Sequence, residues 1–230
     1  MRSTTTALVI ALVSVLVAGA GLTGVALLTA ERAVAGQATV SERDRELTAF
    51  MPSEDNPDPS GAIPGIVRRD YDPGLHVVAP QRVAYDHSPP FGGRHDQVWA
   101  NCNGVVYPTA VRTEHLVHSL EHGSVWIAYN PDRVTGDERA KLAERVEGKP
   151  YLVMSPYPGL DQPISLQSWG HQLKVPTADD ERIDQFITAL LLNPATYPEP
   201  GAPCDSIGFD QDAPPPFDPT PPGPDAQPPI

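Results

Sequence analysis

The chain has 230 residues, 16 of them basic and 29 acidic, for a formal net charge of −13. That length holds one domain with appendages, and the acidic balance argues against nucleic acid as a partner, since no basic stripe exists to displace counterions from phosphates. Proline, at 28 residues, far exceeds its usual share, and two cysteines are too few for a disulfide-dense scaffold or a four-thiolate zinc site.

Residues 1–30 are predicted to be an N-terminal transmembrane anchor. No charged residue occurs from Ser3 to Ala30, and the 24 residues Ala7–Ala30 are almost wholly apolar. At about 1.5 Å per residue, such a helix covers a hydrocarbon layer ~30 Å thick. The run is long for the apolar part of a signal sequence, although small residues at Ala33, Ala35 and Gly36 also fit a cleavage site. Arg2 precedes the span and Arg32, Arg43 and Arg45 follow it, so positive charge does not orient it. Long domains translocate despite flanking charge. The expected location is therefore the cell membrane, single-pass, with an extracytoplasmic C-terminal domain, or secretion if the segment is cleaved.

Residues 31–61 read as a stalk or linker. Ala33–Leu47 suits a short helix, but many charges and the run Met51–Ser60 read as linker chemistry. Residues 62–205 hold all three tryptophans and both cysteines, enough for one self-sufficient core. Residues 206–230 are predicted to be a disordered, proline-rich tail, since nine prolines fall between Asp210 and Ile230 and Phe217 is almost all it has to bury.

Within the central block the periods are mixed. Leu75–Val78 and Gln81–Tyr85 suggest short strands, and Pro89–Gly93 a turn. Thr113–His122 has helical spacing with a threonine start, and Gly123 is placed to end it. Ser124–Tyr129 reads as a buried strand stopped by Asn130-Pro131, Asp137–Val146 as a second helix and Tyr151–Met154 as a strand. Ile164–Val175 suits a broken strand or a hairpin around Gly170. Asp179–Leu192 is the clearest helix, with an acidic start and Ile183, Phe186, Ile187, Leu190 and Leu191 on one face. Strands and about three helices alternate without a regular βαβ beat, so the expected class is α+β, in a single compact domain.

Chemistry concentrates in His115-Leu-Val-His118-Ser-Leu-Glu121-His122-Gly123. His118 and His122, four apart on a helix, are neighbours on one face, so their imidazoles can meet one metal ion. His115 lies two turns from His122 and does not easily share that ion. Glu121 can ligate, orient an imidazole or act as a base. His95 is chosen as third ligand, because the preceding Gly92-Gly93 lets the backbone approach closely. The pattern His-x-x-Glu-His is also that of inverzincin metalloproteases, but Gly123 stops the helix after the second histidine. The plain alternative is a set of structural histidines at a helix end.

Cys102 and Cys204 stand 102 positions apart. In an oxidising compartment they would close nearly the whole domain, a constraint of about 4–5 kcal/mol by chain entropy. The competing reading makes Cys102 a nucleophile assisted by a histidine. Trp99, Trp126 and Trp169 are expected in the core.

The series Tyr85-Asp-His-Ser-Pro-Pro-Phe-Gly-Gly-Arg-His95, Trp99-Ala-Asn-Cys-Asn-Gly104, His118-Ser-Leu-Glu-His-Gly123 with Val125–Tyr129, Ser155–Leu160, Ser168-Trp-Gly170 and Pro198–Cys204 resembles the actinobacterial "domain of unknown function 3105" family. The resemblance covers roughly residues 85–204 and implies a small membrane-anchored or exported protein. His95, His118, Glu121 and His122 match family positions, whereas His115 and His171 do not stand out. Asp86-His87-Ser88 and Phe91 depart from the family's turn. The family carries no activity to transfer.

Three functional classes follow. The first is an extracytoplasmic domain binding one Zn or Cu ion through His95, His118 and His122, with Glu121 supporting them. The second is a non-catalytic interaction module for a cell-envelope protein partner, displayed by the anchor on the membrane. The third is a metal-dependent hydrolase with Glu121 as base.

Overall fold

The structure, a computed structural model, describes residues 44–230. Glu46–Ile230 forms one compact unit. The expected membrane span at residues 1–30 lies outside the described residues, as does the start of the stalk. Among the described residues no helix is long and apolar enough to cross a membrane.

Among the described residues the architecture is α+β, built on a mixed sheet with helices packed against it and a short 3-10 turn at Pro59–Ala62. The strands described are β1 (Val67–Arg68), β2 (His76–Val77), β3 (His95–Asp96), β4 (Val105–Val106), β5 (Val125–Tyr129), β6 (Leu152–Pro156), β7 (Ile164–Ser168) and β8 (His171–Val175). The longer helices are α1 (Thr113–Glu121), α2 (Gly136–Val146) and α3 (Arg182–Leu190). Six strands join in the order β1-β8-β7-β5-β6-β4, while β2 and β3 form a separate pair. β5 and β6 run parallel, bridged by α2, and β7 and β8 make the antiparallel hairpin expected around Gly170.

Alternation along β5 and β6 divides the core in two. Val125, Ile127 and Tyr129, with Leu152 and Met154, face α2 and α3 through Leu142, Val146, Ile183, Phe186 and Leu190. Trp126, Ala128 and Val153 face the other way, toward Leu116, Val117 and Leu120 of α1. Side chains on a strand point alternately to opposite faces, so a strand apolar at every position is buried on both sides. Trp126 and Trp169 fill this second core as expected, and Trp126 Nε1 donates to Ser155 Oγ at 3.0 Å.

Three expectations are corrected. Gln81–Tyr85 is not a strand: only Val83 makes a bridge, to Gln227. α1 does begin at Thr113 as expected, with Arg112 in the cap position and its guanidinium reaching Asp96 and the Gln81 carbonyl. The largest correction concerns the tail. Residues 206–230 lie as a strap along the body instead of extending into solvent. Arg112 N–H donates to the Pro215 carbonyl, Phe217 N–H to Ala110, Gln227 N–H to Arg82, and Arg94 N–H to Pro229. Phe217 packs on Tyr157 at 4.9 Å and Asp218 pairs with Arg82. Prolines lack donors, but their carbonyls accept from N–H groups that the body leaves unpaired. The stalk boundary moves likewise, since Phe50 packs on the core and the Pro57 carbonyl accepts from Asn193 Nδ2 at 2.8 Å.

Candidate metal centre

β2 and β3 pair in parallel with His76 opposite His95, and β3 packs on α1. This brings three imidazoles from three elements together. Ring centroids stand 4.8 Å apart for His76–His95, 5.1 Å for His76–His118 and 4.5 Å for His95–His118. With Glu121 they form a donor group whose ligand atoms all lie within 4.8 Å of one another. His95, His118 and Glu121 are buried, and His76 is exposed.

The orientation of these rings is fixed by backbone carbonyls. His95 Nδ1 meets the Gly93 carbonyl at 2.8 Å and His118 Nδ1 the Asp96 carbonyl at 2.6 Å. A carbonyl only accepts, so each Nδ1 carries a proton, and in the neutral ring Nε2 is then the nitrogen with the free lone pair. Outer-shell bonds of this kind hold an imidazole ready to ligate a metal. Glu121 Oε1 accepts the Gly74 N–H at 2.7 Å. Its Oε2 lies 2.8 Å from His95 Nε2, yet the two are not aligned for a hydrogen bond, and neither finds another partner. Two buried, close and unsatisfied electron-pair donors are what a shared cation would satisfy.

Electrostatics keep the donors in ligating form. Burial first, and the neighbouring His95 second, push His118 down to about 3. Burial raises the Glu121 carboxyl, but His95 and the Gly74 N–H outweigh it, so its pKa is lowered overall. At neutral pH His118 is neutral and Glu121 anionic, the protonation states that metal binding requires.

His122 stands beside this group, on the next stretch of chain. Its Nδ1 bonds the Pro203 carbonyl at 2.8 Å and its Nε2 lies 3.3 Å from Glu199 Oε2. His118, His122 and Glu199 form a second group of ligand atoms within 4.8 Å of one another. Burial pushes the His122 pKa down. The structure thus joins His95 and His118 in one group and His118 and His122 in another, while placing Glu121 among the donors. His115 sits apart, with Nδ1 on the Val98 carbonyl at 2.6 Å.

Sequence reasoning missed His76 and Glu199. His76 lies in a segment read correctly as a strand, but only its pairing with β3 gives the residue meaning. Glu199 arrives because its N–H donates to the Glu121 carbonyl at 3.2 Å. The inverzincin arrangement does not form, since Glu121 Oε1 is held by the Gly74 N–H and Oε2 lies against His95 Nε2 among the donors.

Cys102 and Cys204 are disulfide-bonded, with Cα atoms 5.0 Å apart. A nucleophilic Cys102 is thereby excluded. The bond fastens the loop before α1 to the segment carrying Pro203, whose carbonyl orients His122.

Fold and cluster together define a disulfide-linked α+β domain carrying a buried imidazole–carboxylate donor set. Residues 76–206, more than half of the chain, match the family described as "Protein of unknown function (DUF3105)", and the chain belongs to that family. No curated protein and no solved structure matches it.

Proposed function

We propose that the protein is a membrane-displayed, extracytoplasmic metal-binding domain that holds one Zn or Cu ion through His76, His95, His118 and Glu121. The observation that carries this reading is the convergence of the four donors, with His95 Nε2 and Glu121 Oε2 buried and unsatisfied at its centre. Imidazoles with one carboxylate suit Zn and Cu alike. Four protein donors complete a tetrahedral zinc shell, and catalytic zinc sites keep one position open. Binding is therefore favoured over hydrolysis, in which Glu121 would have to leave the cluster to act as base. The location outside the cytoplasm is supported by the uncharged run Ser3–Ala30 and by a disulfide, a bond that persists in oxidising compartments.

The test is metal analysis of the full-length protein purified in detergent, incubated with Zn or Cu and desalted. About one equivalent is expected in the wild type and in His87→Ala, a histidine outside both groups. His95→Ala and His118→Ala, checked for folding by circular dichroism, should lose it. Wild-type protein that retains no metal would overturn the reading.

A further inference from the structure

His118 belongs to both donor groups. Its Nδ1 is committed to the Asp96 carbonyl at 2.6 Å, so only the Nε2 lone pair is available. One lone pair serves one ion at a time. The two groups therefore describe alternative positions for a single ion rather than a two-metal centre. His95, His118 and His122 form a row with centroids 4.5 and 4.7 Å apart, and Trp99 packs over the last two rings at 5.3 and 4.7 Å.

The positions differ in kind. The first offers four donors, three of them buried. The second offers three, ending on Glu199, whose side chain is 45% exposed. Three protein donors leave a tetrahedral ion one place for an incoming ligand.

Resting on the metal-binding reading above, we propose that this domain is a handover site: a transition-metal cation moves from His76–His95–His118–Glu121 to His118–His122–Glu199 by ligand exchange around His118, and leaves to an acceptor from the Glu199 face. His122 and Glu199 are the transfer ligands, not the ones that set affinity. The acceptor supplies a donor for the open position, and no redox or covalent step is needed.

The experiment loads full-length protein in detergent with one equivalent of Zn and mixes it with excess chromogenic chelator, following release by stopped flow. Glu199→Gln alters an exposed side chain and carries the test; His122→Ala supports it once folding is confirmed. Both are expected to slow release about tenfold or more, while His87→Ala, outside both groups, releases at the wild-type rate. His76→Ala is expected instead to weaken affinity. Release from Glu199→Gln at the wild-type rate overturns the handover, because the ion would then leave directly past His76. Two equivalents bound to wild type also overturn it. Wild-type protein that binds no metal fails the reading beneath it and is distinguished by the absence of any loaded state.

Discussion

Three buried histidines share a direction of perturbation. Burial is the main cause that pushes His115, His118 and His122 below their ordinary value of 6.5, His118 to about 3. In the unfolded chain the same rings take up protons near 6.5. Between the two values the unfolded state holds more protons, so folding stability is complete above about pH 6.5 and is lost as pH falls. One such ring is worth about 1.4 kcal/mol per pH unit across that window. For metal-free protein, urea unfolding at pH 5 should therefore give a free energy at least about 2 kcal/mol below that at pH 7.5. Equal stability at the two values would mean that these rings are charged in the folded state.

The helix α1 explains why part of the site was readable and part was not. His118 and His122 are four apart, and a helical period alone puts them on one face. Glycine after the helix was equally legible as a stop. Gly123 has φ of +90°, and a Cβ there would lie 2.6 Å from the Tyr197 ring. The tight turn also sets His122 toward Pro203 and lets the Gly123 carbonyl accept from Leu192 N–H at 3.0 Å. Gly123→Ala should cost about 1–2 kcal/mol for the backbone alone, with the ring clash in addition. By displacing His122 it should also slow release of bound Zn. Thermal unfolding and chelator release rates of that variant check both effects. The strand β2 is the opposite case. Two residues long, it carries no period of its own, and its pairing with β3 is a contact between distant segments.

Across the whole molecule, the closure of Cys102 on Cys204 and the return of the C-terminal strap hold the site's loops. The strap's Pro229 carbonyl accepts from Arg94 N–H at 2.8 Å, one residue before His95. A Cβ on Gly93 would meet that carbonyl at 2.7 Å, so the close approach needs glycine. Loss of the disulfide through Cys204→Ser should lower stability by about 2–5 kcal/mol. Because Pro203 orients His122, release of bound Zn should change more than retention does. Denaturant midpoints with and without reductant, alongside chelator release rates, measure both.

Composition and local pattern by themselves determined the uncharged N-terminal run, the mixed α+β elements, the helix with its paired histidines and the candidate cysteine pair. These depend on neighbours within a few positions, which a helical or strand period encodes. Only the tertiary structure decided that His76 and Glu199 join the imidazoles, that His118 is held in common, and that a proline-rich tail is a strap. Each of these depends on pairing between segments far apart in the chain, where backbone donors and acceptors find partners that no local periodicity announces.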